Sequence, residues 1–204
     1  AMYVSEVAFW THRALWQLLF SGKFDKFPGL KYCVVECGSW WVGDLLWKAD
    51  VNFGASWKIK KMSSRMKGLL TKLPSEYFGD SVFIGASTMS RYEIRERHRN
   101  GIDALMWGTD YPHPEGSWPN TVHRLENDFQ DVSIEDTRRL LGLNAIECYD
   151  LDVEGLTTVA NRVGPTPEKL NQDPSLRTSS TAKRDARWWF DEYGIEWSGP
   201  ENGL

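Results

Sequence analysis

Three short apolar runs, each stopping at a polar or acidic side chain, interrupt a chain whose other apolar positions recur at helical spacing. Lys31–Glu36 (KYCVVE), Ser81–Ser87 (SVFIGAS) and Ala104–Gly108 (ALMWG) have the length and composition of strands covered on both faces. Between them the pattern predicts helices. Val7, Ala8, Trp10, Leu15, Leu18 and Leu19 line one from Ser5 to about Phe20, with Ser5 as N-cap and Gly22 as stop. Trp40–Asp50 and Ile59–Leu73 supply two more, the second broken by Pro74. Tyr92–Asn100 is a charged helix ending at Gly101, and Val122–Asn127 and Asn144–Tyr149 are short ones. Ser133 and Asp136 are spaced to cap one another's backbone amides at the start of a further helix.

This order of alternating helices and strands predicts an α/β fold of parallel β/α units. Right-handed crossovers then bring the three strands side by side, pointing the same way. Their carboxyl ends carry Glu36, Ser87 and Asp110, and that end of such a sheet is where active sites form. Beyond Asp152 the pattern weakens. Residues 1–152 form one expected unit, and 153–204 an extended carboxyl-terminal arm packing on the body or on a partner subunit. Gly164–Ala182 is rich in Pro, Ser and Thr, while Trp188, Trp189, Phe190, Tyr193 and Trp197 are too apolar to leave in water.

The richest segment is Ala104–Pro119, where the third strand passes through Gly108-Thr109 to Asp110 and into a stiff loop, Tyr111-Pro112-His113-Pro114-Glu115. A carboxylate on a rigid element suits proton transfer or metal binding, so Asp110 is the first candidate. The competing reading is a loop carboxylate that fixes the turn before Pro112. Glu36 is the second candidate, set against a glutamate paired with an arginine or with backbone amides. His113, held between two prolines, either donates to Asp110 and lines a pocket or makes a loop hydrogen bond. Glu115 and Trp118 complete the candidate substrate-binding set, Trp118 as pocket wall or packing group. His123 and Arg124 follow, where a helix would aim them at a carboxylated substrate. Ser87 lacks the Gly-x-Ser-x-Gly elbow of a serine nucleophile, and no Gly-x-Gly-x-x-Gly follows a strand.

Composition narrows the setting. The 204 residues, 41% hydrophobic and 25% charged with a net charge of −4, give no footprint for nucleic acid or an anionic membrane. The basic cluster Lys58, Lys60, Lys61, Arg65 and Lys67 reads as a solvated face. No stretch approaches the ~20 apolar residues of a membrane span. Three cysteines, Cys33, Cys37 and Cys148, leave one unpaired in any scheme, which predicts a reducing, cytoplasmic setting. Cys33-x3-Cys37 has no second ligand pair beside it and is weak evidence for zinc. Eleven tryptophans point to a packed core, an oligomer interface or an apolar pocket wall.

Phe9-Trp10-Thr11-His12-Arg13-Ala14-Leu15-Trp16, Phe27-Pro28-Gly29-Leu30-Lys31 with the strand end Glu36-Cys37-Gly38, and Met106-Trp107-Gly108-Thr109-Asp110-Tyr111-Pro112-His113-Pro114-Glu115-Gly116 carry a resemblance. Over about Met2–Asp152 the chain resembles the carboxyl-terminal half of the amidohydrolase-related proteins. These include metal-dependent hydrolases and the aminocarboxymuconate-semialdehyde and hydroxybenzoate type decarboxylases. The resemblance implies the last three β/α units of a TIM barrel. In so short a chain strand Lys31–Glu36 would present a bare edge, which predicts that homo-oligomerisation completes or covers the barrel. It also implies a divalent metal, zinc first, with Asp110 as metal ligand or general base, and a small carboxylated or aromatic substrate. The chain departs from the family in placing Glu36 where the decarboxylase branch has a histidine. It also lacks a His-x-His strand, and the histidines present are His12, His98, His113 and His123. The alternative is therefore a non-catalytic half-barrel or interaction subunit.

Overall fold

The computed structural model describes residues 2–56 and 69–170. The basic cluster at 58–67, most of the helix expected over Ile59–Leu73, and the aromatic segment at 188–197 lie outside those residues. Helix α1 runs Met2–Leu19, so Ser5 stands inside it and does not cap it. A one-turn helix α2, Lys23–Lys26, follows Gly22, whose φ of 69° and whose approach to the Leu69 carbonyl both require glycine. Then come β1 (Tyr32–Val35), α3 (Val42–Ser56), β2 (Val82–Ser87), α4 (Arg91–Arg95) and β3 (Leu105–Gly108). Helix α5 is Thr121–Asp128, and α6 is Ile134–Arg138. A π-helical turn, Arg139–Leu143, joins α6 to α7, Asn144–Tyr149. Last are α8 (Val153–Val163) and α9 (Pro167–Leu170), in the region where the hydrophobic pattern weakens.

The three strands form one parallel sheet in the order β1-β2-β3, with Val34 opposite Ile84 and Gly85 opposite Met106. Side chains alternate across it. Val34, Val82, Ile84, Ala86 and Leu105 are buried in the main core with Leu15, Leu19, Val42, Leu45 and Phe129 from the helices. On the opposite face Phe83 and Met106 pack under Cys148 and Ala145 of α7, with Cys33 beside them. Burial, reinforced by the neighbouring Cys33, pushes the Cys148 thiol up to about 12, so it stays a protonated, inert hydrophobe. Asn144 fastens α7 to the sheet: its Nδ2 donates to the carbonyls of Ile102 (2.7 Å) and Leu105 (2.6 Å). At the carboxyl end of β1, Val35 is 53% exposed.

The helix expected over Tyr92–Asn100 stops at Arg95, because Arg97 turns back to donate to the Ile94 carbonyl and to Asp136 Oδ2 (2.7 Å). Asp136 is thereby drawn away from capping. Ser133 Oγ accepts from Asp136 N as expected, while the Asp136 carboxylate pairs with Arg97 and lies 3.1 Å from His98 Nε2. Burial alone would raise the Asp136 pKa; the Arg97 hydrogen bond and charge outweigh it and hold the group below its ordinary 3.8. A lowered folded-state pKa contributes stability above 3.8 that is lost as the pH falls through the folded value. Urea unfolding of Asp136→Asn is therefore expected to lose stability at neutral pH and to show a flatter decline on acidification than the wild type.

Candidate functional site at the strand ends

At the carboxyl edge of the sheet each strand hands over to a residue in the left-handed region: Glu36 (φ 59°), Thr88 (φ 44°) and Asp110 (φ 59°). A non-glycine residue there is uncommon, and a β-branched threonine is a genuine outlier. Such strain persists only where the surroundings over-determine it, and it collects at functional sites. Here the ladder supplies the constraint: Glu36 N donates to Gly85 O (3.0 Å) and Thr88 N to Gly108 O (2.9 Å). From behind, the buried Arg124 donates through Nη2 to Thr88 O (3.2 Å).

These turns open one hollow of about 300 Å³, with Glu36, Ser87 and Asp110 on its wall. His113 and Glu115 reach in from the proline loop, and Trp40 and Glu93 close the other side. Asp110 is 16% exposed in its side chain, and its Oδ2 lies 3.4 Å from His113 Nδ1, itself largely in solvent. Glu36 faces solvent and is not a buried, paired glutamate. Glu93 is buried and fully engaged. Its Oε2 accepts from Ser90 N (2.8 Å) and Ser90 Oγ (2.9 Å), while Oε1 accepts from Ser39 N and Ser39 Oγ. It ties the loop after β1 to the loop after β2 and so fixes the floor of the hollow.

The loop beyond Asp110 closes on itself. His113 N donates to Asp110 O (2.8 Å), Gly116 N to His113 O (2.9 Å) and Ser117 N to Thr109 O (2.9 Å). Peptides Tyr111-Pro112 and Trp118-Pro119 are cis. A Cβ on Gly116 would stand 2.8 Å from Thr109 O, 2.9 Å from His113 O and 3.0 Å from Asp110 O, all backbone atoms that cannot swing aside. Gly116→Ala is expected to cost about 1–3 kcal/mol as an overpacked site. Thermal unfolding checks the loss, and faster amide exchange at His113 and Ser117 would locate it.

Two expectations about this loop are corrected. Trp118 does not line the hollow; it stands in solvent with its ring edge-on to Tyr111 at 5.7 Å. Arg124 is not aimed at a substrate: it is buried beside Asp128, and only His123 of that pair is exposed. His12 and His98 lie away from the hollow, on α1 and in the turn after α4. Sequence reasoning missed Thr88, which no glycine marks, and Glu93. The Ser90-Arg91-Tyr92-Glu93 capping-box spacing was the signal for the latter.

With this geometry in place, a family model described as amidohydrolase matches residues 8–151, more than half of the chain. The chain belongs to the amidohydrolase family. Two solved structures share the fold: an amidohydrolase from Mycobacterium avium subsp. paratuberculosis K-10 and the 5-carboxyvanillate decarboxylase LigW from Sphingomonas paucimobilis. Each is 23% identical, has a TM-score of 0.51 and matches 67% of this chain. The match covers 32% of the first structure and 38% of the second, so the chain spans about a third of their length. No curated protein matches it. An α/β arrangement of three parallel strands is consistent with part of a family barrel.

Amidohydrolase family members are generally metal-dependent. Among the described residues no group of three or more His, Cys, Asp or Glu stands ready to hold a metal ion. Asp110 with His113 is a pair, and catalytic zinc draws on three protein ligands. The donor set described here does not by itself fit the ion.

Proposed function

We propose that this chain carries the strand-end acid–base site of a hydrolase or decarboxylase-like member of the amidohydrolase family, acting on a small aromatic or carboxylated substrate. One observation carries the reading: Glu36, Ser87 and Asp110, from three strands, share one hollow with His113 and Glu115. Asp110 serves as the proton-transfer group. Its Oδ atoms take a proton from attacking water in hydrolysis, or hand one to the substrate in decarboxylation. His113 orients that carboxylate, and Glu36 sets the charge on the facing wall. Asp110 would also be the ligand this chain offers to a divalent metal.

The exposed carboxyl end of the sheet supports a further part of the proposal, that a second copy covers it, in a cytoplasmic homo-oligomer. Light scattering at micromolar concentration is expected to give a dimer or larger; a clean monomer would remove this part. The sparse donor set favours a second reading, a non-catalytic interaction subunit. Turnover of a panel of small aromatic carboxylates, with metal content of the purified protein and Asp110→Asn as control, separates the two. Activity lost in that variant supports the enzyme; no turnover and no metal supports the subunit.

A further inference from the structure

Helix α8, Val153–Val163, is capped at both ends and covered on neither side. The Asp152 carboxylate accepts from Glu154 N (3.1 Å) at its start, and Gly164 N donates to Ala160 O (2.8 Å) at its end. Val153, Leu156, Ala160 and Val163 recur at helical spacing and, with Val159, make one apolar stripe. Glu154, Thr158, Asn161 and Arg162 take the other side. Yet no residue of α8 is buried: Val153 is 51% exposed, Leu156 42%, Val159 45% and Val163 69%. A helix of 11 residues is marginal in water by itself and draws its stability from packing its apolar face. Shortly after α8 the chain is fastened to the body again, because Leu170 is buried in the main core and Lys169 Nζ lies 3.7 Å from Glu126 Oε1. The stripe is therefore left open on a helix whose two ends are held.

We infer that residues 188–197 of the same chain dock on the α8 stripe. Trp188, Trp189, Phe190, Tyr193 and Trp197 supply the apolar surface, and aromatic rings bury roughly 150–250 Å² each once they find a cover. Reach sets no obstacle. Fully extended, residues 171–187 span roughly 55 Å, whereas the chain between them holds Val153 within about 40 Å of Leu170. Size decides between this occupant and a second copy of the chain. A helix about 16 Å long and about 10 Å wide presents a few hundred Å² at most, well short of the roughly 800 Å² per partner that a stable dimer buries. A segment already joined to the body needs less area, since its tether holds it near the stripe at an effective concentration of order millimolar and spares the cost of bringing two molecules together. The inference does not depend on the role of Asp110. It gives the carboxyl-terminal arm a place on its own body.

Amide hydrogen exchange of the 204-residue chain, read by mass spectrometry, tests this with one variant on each side of the contact. On the helix, Leu156→Gln/Val159→Gln removes the centre of the stripe with a residue that favours helix at least as well as valine does. On the arm, Trp188→Ser/Trp189→Ser/Phe190→Ser removes the aromatic cluster and leaves α8 untouched. The helix variant is expected to speed exchange within 188–197 by at least about tenfold, and the arm variant to do the same within 153–163, while β1, β2 and β3 keep their protection. That reciprocity is the signature of a shared contact and should persist over a roughly hundredfold dilution, because an intramolecular contact does not depend on concentration. Exchange in α8 that ignores the arm variant, or in the arm that ignores the helix variant, overturns the inference. Protection of α8 that fades on dilution also overturns it and assigns the stripe to a second copy.

Discussion

Asp110→Asn is expected to lower turnover by about 10²–10⁴-fold, the range attributed to one positioned acid–base group, while leaving the fold intact. Asparagine is the informative replacement here for a backbone reason. Asp110 sits at φ 59°, and Asn and Asp are the residues that enter the left-handed region most readily after glycine. Alanine would remove the carboxylate and add strain to the turn, so its effect would mix chemistry with misplacement of the loop. Asparagine keeps the size and the turn and removes only the charge and the proton acceptor. His113 loses the charge of its partner at 3.4 Å but stays in place, because its own amide is bonded to the Asp110 carbonyl. The checks are kcat/KM on an aromatic carboxylate, far-ultraviolet circular dichroism, and the urea midpoint. Unchanged kcat/KM would remove Asp110 from the chemistry; a large fall with an unchanged urea midpoint would place the loss in the reaction.

The sheet and its order were legible because strand composition is a local property. The three apolar runs became β1, β2 and β3 with end shifts of a residue or so, and the alternating helices dictated parallel pairing. The gathering of Glu36, Ser87 and Asp110 followed from that topology alone. What the sequence concealed depends on distant partners. Nothing near Thr88 or Glu36 announces a left-handed backbone, since neither is glycine or asparagine; the conformation is imposed by the neighbouring strand and, at Thr88, by a guanidinium 36 residues away. Glu93 shows its capping role in Ser90-x-x-Glu93, but its second job, holding Ser39, joins residues 54 apart. Trp118 and Arg124 were misplaced for opposite reasons. A tryptophan beside a proline loop gives no hint of which way its ring turns, and an arginine on an amphipathic helix looks exposed until its carboxylate at i+4 is seen to be buried with it.

Asp128→Ala is expected to cost about 3–5 kcal/mol, the penalty for leaving one member of a buried ion pair uncompensated. Arg124 Nε lies 3.2 Å from Asp128 Oδ2, with the two side chains only 1% and 0% exposed. The residues are one helical turn apart on α5, so they face each other on the side turned to the core. Asn127 Nδ2 donates to Asp128 Oδ1 (3.3 Å), and Arg124 reaches on to the Thr88 carbonyl. Removing the carboxylate strands a guanidinium that cannot lose its proton, in a buried site where an uncompensated charge is costly. A domain of this size is held by roughly 5–15 kcal/mol in total, so the variant should populate unfolded chain under mild conditions. Urea unfolding measures the loss, and the double variant Arg124→Met/Asp128→Leu should recover much of it, since replacing both charges by apolar side chains removes the desolvation penalty along with the pair. That recovery is expected to be incomplete for activity. Methionine cannot donate to the Thr88 carbonyl, so the left-handed turn at the end of β2 loses the contact that holds it from behind, and the hollow between Glu36 and Asp110 loosens even in a chain that folds well.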